Sequence, residues 1–281
     1  MLRIACIGDN CVDYYDATGE AFFGGNPVNV AVYIKRLGLD ASYFGAVGND
    51  DFGRRMLEAL NGRGVDTSHV QVVNGDTALT HVSLENGDRI FGDYDEGVMA
   101  SFALQDMDFD SIKKHDLAVT GLWGHCEYDL KKIREMGVTT AFDCSDRPDD
   151  PAARIARKNA DILFFSDDQS EDSVLEEKIK QLALETDMTE SDDNIKAGNR
   201  ERRTGPELVV ATRGDKGSLA FDGKRFVRQG IIPCHIADTM GAGDSFIAGF
   251  LTAWLERRPL EECMKKGTEN SAVTLGYAGA W

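Results

Sequence analysis

Short apolar runs alternate with segments of helical periodicity along most of the chain. The runs cover residues 3–8, 42–47, 117–121, 139–142, 161–165 and 208–212. Strands that are apolar on both faces are typical of a parallel sheet with helices on both sides. The pattern therefore predicts a doubly wound α/β fold with a mostly parallel sheet, in which ligands bind outside the carboxyl ends of the strands.

Residues 77–91 follow a different pattern, in which apolar and polar side chains alternate. Asn86-Gly87 at the centre supplies the residues of a type I′ turn, so the segment predicts an antiparallel hairpin. We expect a small β lid over a ligand, formed by this region up to about residue 97 together with residues from about 14 to 23. A plain edge hairpin without a lid role is the alternative.

Residues 186–205, with the sequence TDMTESDDNIKAGNRERRTG, contain almost no large apolar side chain. Such a segment adds little to a core, so we expect a polar surface excursion here. A regulatory or partner-binding segment is the alternative. Because no Pro/Ser-rich linker divides the chain, residues 1–281 are expected to form a single domain.

The composition is that of an ordinary folded protein, with 42% hydrophobic and 28% charged residues. A formal net charge of -17 repels nucleic acids and anionic lipids, so we expect neither as a partner. The six cysteines lack zinc-ligand spacing, and the first residues lack a signal-peptide pattern, which together favour a cytoplasmic location. The apolar run at 246–255 is too short to span a bilayer.

The strongest candidate for chemistry is the string DTMGAGDSF at residues 238–246, which leads into a helical run. Small residues allow a ligand to approach the backbone closely, and a helix N-terminus offers unpaired N–H groups to an anion. Gly241, Ala242 and Gly243 are therefore predicted to form an anion hole. Asp244 lies at the helix start, where its carboxylate would alternatively serve as a plain N-cap.

The longer string DTMGAGDSFIAGF resembles the C-terminal signature of the ribokinase-like (PfkB) carbohydrate kinases. The resemblance implies an ATP-dependent phosphoryl transfer in which Asp244 is the catalytic base. It also implies that the amides of Gly241, Ala242 and Gly243 stabilise charge on the transferred group. ATP and Mg²⁺ are the implied cofactors, with a monovalent cation as a further candidate.

The family's first signature has a counterpart in GGNPVNVA at residues 24–31. In related kinases the glycine pair and the asparagine contact sugar hydroxyls, which implies this role for Gly24, Gly25 and Asn29. The family also carries a substrate-binding aspartate just after the first strand. Asp13 matches that position and Asp9 is a second candidate, since paired carboxylates accept hydrogen bonds from a polyol.

The string TRGDKGS at residues 212–218 follows an apolar strand and resembles the family's TxGxxG nucleotide segment. The resemblance implies phosphate contacts from Thr212, Gly214 and Gly217. In the DT pair before the anion hole, Asp238 and Thr239 are implied to shape the turn and to contact the nucleotide or a monovalent cation.

The metal motif departs from the family pattern. Related kinases carry Asn-x-x-Glu, which organises Mg²⁺ through water, whereas this chain has SDDQSE at residues 166–171. Glu171 or Asp168 would serve a hydrated Mg²⁺ instead, because that ion retains several of its waters.

Longer stretches of the sequence resemble only some members of the family and so indicate a narrower class of substrates. AFFGGNPVNVAVY (21–33), RIFGDYDEGVMASFAL (89–104) and LWGH (122–125) are similar to family members that phosphorylate a fructose joined through nitrogen to lysine. Such a sugar-amine is cationic and suits an acidic site. Arg89, Phe91 and Tyr94 are candidates to close over the sugar or to pair with its carboxylate. Asp143 ends a further strand and is a secondary candidate to face the acceptor or the phosphates, while His125 follows another strand and is more typical of a structural histidine.

Two alternatives remain open at this point. The first is a kinase of a plain sugar, a sugar acid or a nucleoside, such as fructose or 2-keto-3-deoxygluconate. The second is a non-catalytic sugar-sensing module, although the intact GAGD string argues against loss of the base. Members of the family often pair through their β lids, which implies a homodimer.

Overall fold

The fold is built on an eight-stranded, mostly parallel sheet, seen in a computed structural model that describes residues 2–85, 88–184 and 205–281. Its spatial order is β14 (Phe226–Gln229), β13 (Ser218–Phe221), β12 (Leu208–Thr212), β11 (Ile162–Ser166), β10 (Thr139–Asp143), β9 (Leu117–Gly121), β1 (Arg3–Ile7) and β4 (Asp40–Phe44). The strands from β12 to β4 are parallel, and β13 and β14 form an antiparallel edge. The predicted α/β fold class is confirmed.

Helices pack on both faces of this sheet. They are α1 (Asn26–Arg36), α2 (Asp51–Gly62), α3 (Asp106–Ile112), α4 (Leu130–Glu135), α5 (Pro151–Ala156), α6 (Asp172–Leu184), α7 (Ala242–Leu255) and α8 (Leu260–Thr274). Successive strand residues enter different cores: Ile4 and Cys6 pack with α1, α7 and α8, whereas Ala5 and Ile7 pack with α3. Because side chains alternate across a strand, an apolar strand needs such cover on both sides.

A separate four-stranded sheet has the order β3 (Glu20–Gly24), β2 (Cys11–Tyr15), β7 (Leu79–Glu85) and β8 (Asp88–Asp95). Strands β2 and β3 are antiparallel, β2 and β7 are parallel, and β7 and β8 are antiparallel with an irregularity between Thr80 and Val82. The described part of the structure does not include the predicted turn residues Asn86-Gly87 or residues 186–204. It also does not include the side chains of Arg89 and Phe91.

The remaining elements are short. Strands β5 (Ala46–Gly48) and β6 (Gln71–Val73) form a two-stranded parallel pair. Single 3₁₀ turns lie at Gly97–Ser101 and Gly214–Lys216.

Among residues 2–85, 88–184 and 205–281, no helix combines the length and the apolar character required to cross a bilayer.

Candidate active site

The carboxylate of Asp244 faces helix α1 across the start of helix α7. Asn29 Nδ2 donates to Asp244 Oδ2 at 2.7 Å, and Asn26 Nδ2 donates to Asp244 Oδ1 at 2.7 Å. The N-cap of α7 is Gly241, and no side chain caps the helix there. The alternative role of Asp244 as a helix cap is therefore wrong, because both of its oxygens are held by asparagine amides of another helix.

Asn26 lies at the first position of α1 and contacts three carboxylates. Its Nδ2 also donates to Asp143 Oδ2 at 2.8 Å, and its backbone N–H donates to Asp9 Oδ2 at 3.1 Å. Asp143 ends strand β10, and Asp9 follows the end of strand β1. The carboxyl ends of two parallel strands and the starts of two helices thus bring three acidic groups together.

Gly25 makes this approach possible. Its φ of 107° lies in the region that favours glycine, and a Cβ here would lie 2.6 Å from Asn10 Cα. Only glycine allows the chain to turn so closely past residues 9 and 10 before α1 begins. By contrast, a Cβ on Gly24 would make only ordinary contacts with the Asn29 side chain, at 3.8 Å and beyond.

All three carboxyl groups have raised pKa values. Burial raises the pKa of Asp244 to about 6, and the amides of Asn29 and Asn26 work in the opposite direction. Burial and then repulsion from Asp244 raise the pKa of Asp143 to about 7. Burial, only partly offset by the Asn26 backbone N–H, raises the pKa of Asp9 to about 6. Buried carboxyl groups with shifted pKa values often mark functional sites.

A second group of side chains lies beside Asp9. His125 Nε2 lies 3.4 Å from Glu96 Oε2, and both side chains are partly exposed. Burial and the neighbouring charge of Asp9 raise the pKa of Tyr94, which is 40% exposed. Asp13 lies on β2, half-buried. The structure therefore places the predicted residues Asp9 and Tyr94 near each other, with Glu96 and His125 beside them.

At the predicted anion hole, Gly241 has a φ of 71° and precedes α7. The Ala242 N–H donates to the Thr239 carbonyl at 3.3 Å, so this amide is already used within the turn. Gly243 is exposed in the first turn of α7, where helix amides lack intrahelical acceptors. Asp238 shapes the turn as expected: its two oxygens accept the N–H groups of Met240, at 3.0 Å, and Gly279, at 2.7 Å.

The predicted nucleotide segment lies at the carboxyl ends of β11 and β12. The hydroxyl groups of Thr212 and Ser166 lie 2.8 Å apart. Gly214 and Gly217 have φ values of 54° and 82°, and a Cβ on Gly217 would lie 2.2 Å from a backbone oxygen of β14. Local backbone geometry alone therefore explains both glycines.

The predicted metal carboxylates lie on the neighbouring loop. Asp168 and Glu171 are both exposed, and Lys216 Nζ donates to the Asp168 carbonyl at 2.6 Å. Within the described ranges, no group of three or more metal-ligating side chains is close enough to hold an ion directly. Two exposed carboxylates fit a hydrated Mg²⁺ that arrives with a nucleotide, since that ion prefers to keep its waters.

Sequence reasoning missed two residues of this site. Asn26 lies inside the GGNPVN string but was assigned no role, although it joins Asp143 to Asp244. Trp281 donates its Nε1–H to Asn29 Oδ1 at 2.8 Å. The string GAW at residues 279–281 carried no polar motif that would have indicated this contact.

Comparison with solved structures defines the class to which this fold belongs. The chain superposes on Arabidopsis thaliana ribokinase complexed with ribose and ATP with a TM-score of 0.83, at 22% identity, covering 99% of this chain and 93% of the other. An uncharacterised sugar kinase of Pyrococcus horikoshii gives a TM-score of 0.79 at 26% identity, covering 99% and 93%. The architecture is that of the ribokinase-like sugar kinases.

The family model for pfkB family carbohydrate kinases matches residues 2–281, and the chain belongs to this family of sugar kinases. It is 42% identical to the fructoselysine 6-kinase of Shigella flexneri over the full length of both chains. It is also 34% identical to the fructosamine kinase FrlD of Bacillus subtilis, over 100% of this chain and 93% of the relative.

Proposed function

We propose that this protein transfers the γ-phosphate of ATP to the 6-hydroxyl of fructoselysine, giving fructoselysine 6-phosphate and ADP. Fructoselysine is proposed as the acceptor because the chain is similar over its full length to two fructoselysine 6-kinases, at 42% and 41% identity. The position of Asp244 at the start of α7, next to the predicted anion hole, supports the reaction type.

Asp244 acts as the general base in this proposal. Its carboxylate takes the proton of the 6-hydroxyl as that oxygen attacks the γ-phosphorus and the bond to ADP breaks. A base with a pKa of about 6 is ionised at neutral pH but still basic enough to accept a proton in the transition state. The amides of Asn26 and Asn29 keep the carboxylate oriented toward the acceptor.

The start of α7 binds the transferred phosphoryl group. Gly241 and Gly243 place backbone amides and the positive end of the helix dipole where negative charge develops, whereas the Ala242 N–H already donates to the Thr239 carbonyl. Thr212, Gly214 and Gly217, with Thr239, line the nucleotide side. Mg²⁺ held through water by Asp168 and Glu171 would neutralise charge on the phosphates.

The acceptor lies on the opposite side of Asp244, between α1 and the four-stranded sheet. Asp9, Asp13 and Asn29, with the backbone at Gly24 and Gly25, bind the sugar hydroxyls. Tyr94 on β8 covers the bound sugar on this side, and Arg89 and Phe91 remain candidates from the sequence for the same role. The Glu96 carboxylate, which lies 3.4 Å from His125, is the group best placed to attract the cationic amine of the adduct.

The experiment is a coupled assay of ADP formation with Mg²⁺ and fructoselysine, fructose, 2-keto-3-deoxygluconate or adenosine as acceptor. We expect a kcat/KM for fructoselysine well above that for fructose, because only the adduct carries the amine. Similar kcat/KM values for fructoselysine and fructose would overturn the proposed acceptor but would still show a sugar kinase. The 30% identity to the fructokinase of Salmonella typhimurium, over 89% of this chain, makes fructose the second candidate.

The four-stranded sheet offers a surface for pairing two copies. Both β3 and β8 are edge strands of that sheet, and an unpaired edge can extend into another chain. We propose a homodimer formed through this lid. Sedimentation equilibrium of the purified protein tests it, and a monomer at all concentrations would contradict it.

A further inference from the structure

Residues 279–281 form a segment that lies beside helix α1 and the start of helix α7, the two helices that carry the site. The Gly279 N–H donates to Asp238 Oδ2 at 2.7 Å, next to the start of α7. The Ala280 carbonyl accepts hydrogen bonds from Tyr33 on α1, at 2.5 Å, and from Tyr277, at 3.1 Å. Consecutive residues of this segment are thus tied to α1 and to the loop that leads into α7.

This anchoring brings the Trp281 indole to Asn29. Trp281 Nε1 lies 2.8 Å from Asn29 Oδ1, and Asn29 Nδ2 lies 2.7 Å from Asp244 Oδ2. The Trp281 ring is partly buried against the main core, and the Arg63 guanidinium lies 5.3 Å from the ring centroid. The ring is therefore held by the core and by the Arg63 guanidinium as well as by its hydrogen bond to Asn29.

The chemistry of the indole sets the orientation of Asn29. An asparagine amide has an acceptor end and a donor end, and rotation by 180° exchanges them. An indole N–H only donates, so it requires the oxygen of Asn29 to face Trp281. The NH₂ group must then face Asp244, which as a carboxylate only accepts.

We infer that Trp281 is a positioning residue for the phosphoryl transfer, which acts through Asn29 to hold the base Asp244. The inference rests on the proposed role of Asp244 and not on the identity of the acceptor. Trp281 holds one of the two amides that orient the carboxylate; the other, Asn26, is shared with Asp143. Loss of the indole N–H leaves the Asn29 oxygen without this donor and loosens the hold on the base.

The test uses Trp281→Phe, which keeps an aromatic ring beside Arg63 but removes the N–H. We expect kcat to fall about tenfold, the size of one net hydrogen bond, with little change in the KM for ATP. The acid limb of the pH–rate profile should also move to higher pH, since a donor to the ionised carboxylate is weakened. Trp254→Phe is the matched control, because Trp254 stacks on Phe250 in α7 and should leave kcat unchanged.

A double-mutant cycle separates action through Asn29 from a merely structural role. In an Asn29→Ala background, Trp281→Phe should cause no further fall in kcat, because the intermediary is already absent. An equal fall in both backgrounds, or a change confined to the KM of the sugar, would overturn the inference. Urea denaturation of each variant shows whether the fold is retained.

Failure of the proposed acceptor can be distinguished from failure of this inference. If the unsubstituted protein prefers another acceptor, kcat of each variant is compared with that of the unsubstituted protein on that acceptor. The same outcomes then support or overturn the inference. If Asp244→Asn retains normal turnover, the inference falls together with the base.

Discussion

Asn26 Nδ2 lies 2.8 Å from Asp143 Oδ2 and 2.7 Å from Asp244 Oδ1, so one amide group donates to both carboxylates. The two acids are half-buried, and loss of solvation together with repulsion from Asp244 raises the pKa of Asp143 to about 7. A shared donor reduces that repulsion and keeps both oxygens in fixed positions. The arrangement makes the ionisation of Asp143 and that of the candidate base interdependent.

Removal of the base is the first prediction. Asp244→Asn should lower kcat by about 10²- to 10⁴-fold, the usual range for general acid–base catalysis, while ATP binding persists. Turnover and nucleotide titration measure the two quantities. Asp110→Asn on the exposed face of α3 is the control. Near-normal turnover of the Asp244 variant would mean that another group accepts the proton.

The pH dependence follows from the raised pKa values. A base must be ionised, so kcat/KM should fall as the pH decreases through about 6, the pKa of Asp244. Asp143, with a pKa of about 7, should add a second ionisation just above it. Because the two acids interact, the profile reports the pair rather than either residue. A profile that is flat from pH 8 to pH 5 would rule out a base of this pKa.

Loss of the shared amide should shift that profile. Asn26→Ala removes a donor from the ionised forms of Asp143 and Asp244, so the acid limb should move up by about one pH unit. The control is Asn74→Ala, an exposed asparagine remote from the acids. If Asn26→Ala lowers the rate equally at every pH, Asn26 serves the fold or the substrate and not the ionisation.

Much of the fold could be predicted because its strands are apolar on both faces. The runs at 117–121 and 208–212 coincide with β9 and β12. The single strand expected at 42–47 was wrong, since β4 ends at Phe44 and β5 begins at Ala46. A Cβ on Gly45 would lie 2.1 Å from Tyr43 Oη, and hydrophobicity alone does not reveal such a close turn.

The site was predictable where a motif is continuous in sequence and not where topology creates it. Asp244 could be proposed because DTMGAGDSFIAGF is one continuous string that resembles a family signature. Its contact with Asn26 joins positions 218 residues apart, and the contact of Asn26 with Asp143 spans 117. These pairs depend on the order of β1, β9 and β10 in the sheet, which the alternation of strands and helices does not give.

Core packing offers a prediction independent of function. Phe250 is fully buried on α7, and its ring lies 5.4 Å from that of Phe164 on β11 in an edge arrangement. Phe250→Ala should lower the free energy of unfolding by about 3–5 kcal/mol, as for other large-to-small changes in cores. Urea denaturation measures it, with Val273→Ala as a control at a position 57% exposed. A loss below about 1 kcal/mol would mean that the core closes around the cavity.

The two glycines of the GAGD string should respond differently to alanine. Gly241 has a φ of 71°, and a Cβ there would lie 2.4 Å from Tyr33 Oη and 3.0 Å from Ala280 Cβ. Gly241→Ala should therefore destabilise the fold by more than the roughly 1–2 kcal/mol of left-handed strain, because it also displaces the 279–281 segment. A Cβ on Gly243 would meet no protein atom within 4 Å.

Gly243→Ala should thus leave the urea midpoint unchanged or slightly raised, since alanine favours a helix over glycine. It should still lower kcat/KM for ATP, because the added methyl group enters the space assigned to the phosphates. Unfolding curves and ATP kinetics of both variants give the comparison. If Gly243→Ala retains full activity, the phosphates do not approach this turn of α7, and the anion hole must be placed elsewhere.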